Sequence, residues 1–247
     1  MTFAIVDSGA DMAHQAFTDF GIVGRDFTGS DEGIDDTNGH GTHHLGVSVQ
    51  VAAISSANVR VLVAKVVQYH EPVPWERMNE ALLWVTNHNP ELVSVGFGAP
   101  ESTDEFHSTI QRLAEQSLVI APTGVDRDPS TEQAIYPARF EEVIGVGGTV
   151  VEGIRAELDT PYAGCDVLAT TPLLGPVPNG GYEKRGGTSI ACAVFSGIAL
   201  RMLATKGRLD MTGKKTSKQA LLNRLRSEAD SDGIFCPDWS LSTGGPD

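Results

Sequence analysis

What this chain has little of narrows its possibilities first. Its 247 residues include three cysteines, Cys165, Cys192 and Cys236, an odd and widely spaced set. Such a set supplies neither a disulfide framework nor a paired metal motif. They read as buried or incidental thiols, and their scarcity leans slightly towards the cytoplasm. Basic residues are scarce as well: 18 Lys and Arg stand against 32 Asp and Glu, a net charge of −14. That balance argues against nucleic acid or an anionic membrane surface as the main partner. No apolar run is long enough to span a bilayer. No secretory signal opens the chain, because Thr2-Phe3-Ala4-Ile5-Val6 runs straight into Asp7 as a strand would. Internal repeats and an inner linker are also missing.

What remains is a 40% hydrophobic chain, long enough for one large domain with a substantial core. Apolar β-rich runs at 2–7, 59–67, 91–97, 117–121, 142–148 and 166–169 alternate with helical patterns at 40–51, 75–88, 104–116, 188–205 and 216–228. Pro74 suits the first turn of the second helix, where Trp75, Met78, Leu82 and Val85 recur at helical spacing. Ser102 with Glu105 forms a capping-box pattern ahead of the third. Near-continuous apolar strands separated by helices predict a three-layer α/β fold, with a mostly parallel sheet covered on both faces. Chemistry in such folds sits at the carboxyl ends of strands, where Asp7 falls. Residues 1–230 are expected to form this one domain. The stretch 231–247, with Gly233, Pro237 and Gly244-Gly245-Pro246, is expected to be an irregular tail.

Three strings carry the chemistry: Val6-Asp7-Ser8-Gly9, Asn38-Gly39-His40-Gly41-Thr42-His43 and Gly187-Thr188-Ser189. They offer an acid, an imidazole and a hydroxyl, each in a glycine-rich turn beside an apolar run. A serine hydroxyl is a weak nucleophile until a base takes its proton. The base in turn needs a carboxylate to fix its tautomer and stabilise its charged form. Taken singly, each string has a plain structural reading: a turn aspartate, a core histidine, a helix-capping serine. His40, His43 and His44 also share a helix face and could suggest a metal. No Glu sits between the first pair in the zincin manner, however, and no carboxylate cluster completes a site, so no metal or other cofactor is expected. Ser189 opens an almost wholly apolar helix from Ile190 to Ala199, which must be buried. The N-terminus of such a helix presents free N–H groups and partial positive charge to an oxyanion.

The order Asp…His…Ser matters, because it differs among unrelated folds that use these groups. In this order and over nearly its whole length the sequence resembles the subtilisin-like serine proteases, the subtilases of peptidase family S8. The resemblance extends to Val63-Ala64-Lys65-Val66, to Trp84, to Gly96-Phe97-Gly98, and to Tyr136-Pro137 followed by Val143-Ile144-Gly145-Val146-Gly147. It implies that Asp7 orients His40, that His40 is the general base, and that Ser189 attacks the scissile carbonyl to give an acyl-enzyme. It further implies that an extended peptide or protein substrate pairs with the Gly96–Gly98 edge. Phe97, Pro122, Thr123 and Ile135 would then line the pocket for the residue before the cut, and Trp75 would sit near a more distal apolar subsite. Ile135 should make the first pocket shallow and favour small or medium apolar side chains. Asp126, Asp128 and Glu132 would instead attract a basic one.

Four departures from the family pattern stand out. In Ala121-Pro122-Thr123-Gly124-Val125-Asp126, Val125 occupies the place of the family's oxyanion-hole Asn and carries no donor. The backbone N–H of Ser189 and the neighbouring Thr188 remain, and Asp126 could substitute if protonated, so slow turnover is expected. Ala193 replaces a Pro four residues after the serine, a benign change in a helix. The loop between His43 and Lys65 is short, and Ala16 stands where relatives supply a carboxylate, so calcium independence is expected. The chain also begins just before the Asp strand. It is expected to be either an excised domain or one whose N-terminal side is completed by a flanking domain or partner. Three alternatives to hydrolysis by a serine stay open: a degenerate subtilase that only binds peptides or a partner, a peptide ligase or macrocyclase working through the same acyl-enzyme, and a metal-dependent hydrolase built on His40, His43 and His44.

Overall fold

The computed structural model describes residues 1–68, 72–124, 134–152, 155–158, 165–205 and 218–222. Its centre is β1, Thr2–Asp7, whose side chains are buried on both faces of a sheet. Phe3 and Ile5 enter one apolar cluster, Ala4 and Val6 the other. The remaining strands are β2 (Gly21–Asp26), β3 (Arg60–Lys65), β4 (Leu92–Val95), β5 (Leu118–Pro122), β6 (Val143–Glu152), β7 (Arg155–Leu158), β8 (Val167–Thr171), β9 (Leu173–Val177) and β10 (Gly181–Arg185). The main sheet runs β2-β3-β1-β4-β5-β6-β7, with β8 also paired to β6. Every pairing in it is parallel except that of β7 with β6. β9 and β10 make a separate antiparallel hairpin.

Helices α1 (His40–Ala52) and α4 (Thr188–Thr205) bury Leu45, Val47 and Phe195 in the first cluster. Helices α2 (Trp75–Thr86) and α3 (Asp104–Ala114) bury Met78, Leu82, Phe106 and Ile110 in the second. The expected three-layer α/β architecture, a mostly parallel sheet with helices on both faces, is therefore the fold. α4 lies directly on α1, and Gly197 permits that approach: a Cβ there would stand 2.7 Å from Val51 Cβ and close to the Ser48 carbonyl. The Ser48 hydroxyl, donating to the Ala193 carbonyl at 3.1 Å, ties the two helices together.

Several local expectations need correction. Thr103, not Ser102, caps α3: its hydroxyl accepts the Phe106 N–H at 3.1 Å. The register of the cap is set where the backbone leaves the extended region, one residue later than the Ser-x-x-Glu spacing suggests. Pro74 is the extended residue before α2 rather than part of its first turn. Likewise Thr188 opens α4, and Ser189 follows it. Gly96–Gly98 lies beyond the end of β4, although the Gly96 N–H still donates to the Val6 carbonyl of β1 at 3.0 Å. The expected helix at 216–228 is described only over 218–222, which is helical, and the expected tail at 231–247 lies outside the described residues. β2 was not expected because it is a largely exposed edge strand with two glycines. The β9–β10 hairpin did leave a signal, since Asn179-Gly180 both take positive φ, 69° and 82°, in its turn.

Candidate active site

The strand order reverses at β1, which has β3 on one side and β4 on the other. A crevice opens at the carboxyl end of such a strand, and Asp7 sits there, fully buried. Its Oδ1 accepts the Ser8 N–H at 2.7 Å and His40 Nδ1–H at 2.7 Å. His40 is the first residue of α1, and Gly39 before it holds φ at 84°, a left-handed conformation that suits glycine. The His40 side chain keeps 24% exposure, and its ring stacks on Phe97 with centroids 5.0 Å apart. With Nδ1 committed to Asp7, Nε2 is the nitrogen available to a hydroxyl.

The loop that delivers His40 is organised by Asp36, a buried carboxylate that no sequence motif marks. It accepts from the Ser8 hydroxyl (2.8 Å), the Asn38 and Gly39 amides (3.1 and 2.8 Å), and the Thr42 amide and hydroxyl (2.8 and 2.6 Å). Ser8 Oγ in turn accepts the Gly41 N–H at 2.8 Å, so β1 and the start of α1 are held as one unit. From the other side, Arg185 of β10 donates to the Gly39 carbonyl at 2.9 Å.

Electrostatics follow from this geometry. Burial by itself pushes the Asp7 carboxyl up, but the His40 charge and hydrogen bond, with His44 close by, outweigh it and hold Asp7 well below the usual carboxylate range. Burial pulls His40 down, and the charge and hydrogen bond of Asp7 outweigh that and raise it above the ordinary imidazole value. A buried anion beside a partly exposed imidazole is an arrangement that can accept a proton from a nearby hydroxyl.

In sequence His44 stands out only as part of a three-histidine set. The structure separates that set. His43 turns away towards the hairpin, its Nε2 3.0 Å from the Glu183 carbonyl, and burial lowers its pKa. His44 faces Asp7 instead, with Nδ1 3.2 Å from Oδ2. Among the described residues the group that does converge is Asp7, His40 and His44, whose ligand atoms lie within 4.8 Å of one another. The metal-dependent reading on His40, His43 and His44 is thereby corrected. The i, i+4 spacing of His40 and His44 was the available signal, since it puts both rings on one helix face.

Ser189 is the second residue of α4. The Gly187 carbonyl accepts the Ile190 and Ala191 amides at 3.1 Å each, and Gly187 holds φ at 104°. The Ser189 N–H therefore belongs to the first turn, whose amides a helix leaves free. Gly148 of β6 faces Gly187 and Thr188, which sets this turn above the carboxyl end of the sheet. Further along α4, Cys192 is a fully buried thiol pushed up to about 12 by burial, and Ser196 donates to Ser94 of β4.

The other expected site residues are brought together in part. Thr123 N–H donates to the Val146 carbonyl at 3.0 Å, and Ile135 N–H to the Thr123 carbonyl at 2.8 Å. The Ile135 side chain lies between Gly98 and Gly124: a Cβ on either glycine would come within 2.7 Å of its Cδ1. Ala99 bridges Tyr136 just beyond. Trp75 starts α2 with its ring 4.3 Å from Phe106 of α3. Val125, Asp126, Asp128 and Glu132 lie outside the described residues.

Against this geometry, residues 1–235 match the family model of the subtilases, Peptidase S8. The chain belongs to that family. It is 29% identical over 210 residues to the "Intracellular serine protease" of Paenibacillus polymyxa, an alignment covering 78% of this chain and 64% of that protein. It is 27% identical over 208 residues to the "Major intracellular serine protease" of Bacillus subtilis, covering 78% and 65%. This subtilase chain thus spans less than two thirds of the length of either relative. Among solved structures, the prenylagaramide maturation protease PagA superposes with a TM-score of 0.71 at 25% identity, covering 93% of this chain and 83% of that one. A cold-adapted subtilisin-like serine proteinase gives 0.76 at 22% identity, covering 95% and 84%, and it shares the fold.

Proposed function

We propose that this subtilase is a serine endopeptidase in which Asp7, His40 and Ser189 act in sequence on an extended peptide. The observation that carries the reading is the 2.7 Å contact of His40 Nδ1 with the buried Asp7 Oδ1, on an imidazole still 24% exposed. His40 Nε2 takes the Ser189 proton as Oγ attacks the scissile carbonyl, and Asp7 stabilises the resulting imidazolium. The imidazolium then protonates the leaving amine, and water hydrolyses the acyl-enzyme by the same path in reverse. The free N–H of Ser189, at the positive end of α4, receives the oxyanion, with Thr188 beside it. With Val125 in place of an amide donor, turnover is slower by about 10²–10³ than a complete oxyanion hole allows, a magnitude measured in this same family. Ile135, lodged between Gly98 and Gly124, makes the first pocket shallow, so a small or medium apolar residue precedes the cut. The likeness to a protein named as a maturation protease supports limited cleavage of a precursor peptide.

The deciding experiment is labelling with a fluorophosphonate probe, read by intact mass, with Ser189→Ala and His40→Ala as controls. Labelling that requires both residues supports the triad. Absence of labelling in folded protein, with peptide binding retained, would establish the binding-module alternative. Product masses then separate hydrolysis from ligation, because an amine that intercepts the acyl-enzyme leaves a joined or cyclic product.

A further inference from the structure

Asp7 has two carboxylate oxygens, and His40 engages only one. Oδ1 is served by Ser8 N–H and His40 Nδ1–H. Oδ2 is buried and has no well-aligned hydrogen bond, and the same is true of His44 Nδ1. These two atoms face each other at 3.2 Å, on side chains with no exposure at all. Space for the ring exists because residue 96 is glycine: a Cβ there would collide with Asp7 Oδ2 and stand 3.2 Å from His44 Nδ1.

The partners on the far side of the ring fix where its proton lies. Ser196 Oγ–H donates to Ser94 Oγ at 2.9 Å, and Ser94 Oγ is 2.8 Å from His44 Nε2. Cys192 Sγ is 3.5 Å from the same hydroxyl, but a thiol sulfur is a weak acceptor beside an imidazole nitrogen. With the Ser196 proton directed at it and the imidazole nitrogen the better acceptor, Ser94 gives its own proton to Nε2, so the ring proton sits on Nδ1 and points at Oδ2. The opposite tautomer would set a nitrogen lone pair against a buried carboxylate oxygen at 3.2 Å, which is repulsive in a low-dielectric interior.

We infer that His44 is a positioning residue: a second imidazole that donates Nδ1–H to Oδ2 of Asp7 and fixes the carboxylate so that Oδ1 faces His40. The inference rests on the proposed roles of Asp7 and His40. The chain Ser196, Ser94, His44 carries donors in one direction from the core of α4 to Asp7, whose carboxylate also accepts from His40 at the edge of the crevice. His44 touches no substrate. Its effect passes through the carboxylate, as an orienting hydrogen bond to a catalytic group does.

The first test uses the wild-type chain labelled with ¹⁵N-histidine, where long-range ¹⁵N–¹H couplings report which nitrogen of each ring holds the proton. A proton on His44 Nδ1 supports the inference. A bare Nδ1, the form that a divalent cation bridging Asp7, His40 and His44 would also demand, overturns it. This readout needs no turnover, so an inactive chain with Nδ1–H on His44 would count against the protease reading and not against this one. The second test compares His44→Leu with His44→Gln, each checked for folding by its ¹⁵N–¹H spectrum. In the Leu variant kcat falls about ten- to a hundredfold with KM little changed, as expected when a reacting group is misplaced rather than substrate lost. The acid limb of kcat/KM also moves to higher pH. The groups acting on His40 are Asp7 on β1, Asp36 in the preceding loop, Arg185 on β10 and the neighbouring histidines of α1. Of these, only the positive end of the His44 dipole is removed, so the potential at His40 becomes more negative. His44→Gln, which keeps an N–H donor, restores part of kcat. A folded His44→Leu variant with wild-type kcat and pH profile would refute the role.

Discussion

Replacing Asp36 tests how the His40 loop is held, without touching a group proposed to react. Five donors converge on its carboxylate: the Ser8 hydroxyl, the Asn38 and Gly39 amides, and the Thr42 amide and hydroxyl. In Asp36→Ala the two hydroxyls can turn to other partners, and the Asn38 amide is near water. The Gly39 and Thr42 amides cannot move without displacing the first turn of α1. Each hydrogen bond to a charged acceptor contributes roughly 1.5–3 kcal/mol net, so leaving these two amides orphaned costs about 3–6 kcal/mol. In Asp36→Asn, with the amide oxygen in the Oδ1 position, only the Thr42 amide loses its acceptor, at about 1–3 kcal/mol. For a chain of this size about 2–4 °C in Tm accompanies each kcal/mol, so the two variants should be separable by calorimetry as well as by urea titration. Asp36 also contributes to the raised pKa of His40. Both variants therefore move the acid limb of activity to lower pH, even as they lower stability. An Asp36→Ala cost below about 1 kcal/mol with an unchanged urea slope would refute this account of the loop, and so would an acid limb that moves up.

Activity and the stability contributed by the His40–Asp7 pair should run in opposite directions with pH. The neutral base appears as pH rises through the raised His40 value, so the acid limb of kcat/KM lies above about 6.5, while the pair's stabilisation, complete below that ordinary value, is lost over the same rise. Asp7 contributes in the other sense: its stabilisation is present above about 3.9 and is lost as pH falls towards its depressed value, and urea midpoints measured from pH 3 to 9 report both changes. Gly96→Ala should reduce kcat about 10²-fold and destabilise by about 1–3 kcal/mol, because the new Cβ meets Asp7 Oδ2; a fully active, equally stable variant would contradict the close approach. Ile135→Gly should open the first pocket, shifting a peptide-library cleavage profile towards larger apolar residues before the cut, whereas a profile dominated by Arg or Lys in the wild type would overturn the apolar reading. Removal of divalent ions by chelation should leave Tm essentially unchanged, and a large drop would refute the expected calcium independence.

Much of this protein was legible as local pattern. β1, ending at Asp7, and α4, spanning Thr188–Thr205, occupy the segments that the sequence marks, because burial on both faces leaves an unbroken apolar run. β2 was not legible, since a largely exposed edge strand carries little apolar periodicity. The Asn179-Gly180 turn has a sequence signal, but Pro176 and Pro178 beside it mask the strands it joins. By itself the sequence determined which reactive groups exist, their order along the chain, and the family they imply, all properties of residue type and spacing. Only the tertiary structure decided how those groups meet. Sheet order brings Asp7 to His40 across 33 residues and carries Ser94 and Ser196 to His44. Rotation along α1 sends His44 to the buried carboxylate and His43 to the hairpin. Those outcomes depend on which element packs on which, and so on where a buried polar atom can find a partner, which spacing along one segment does not encode.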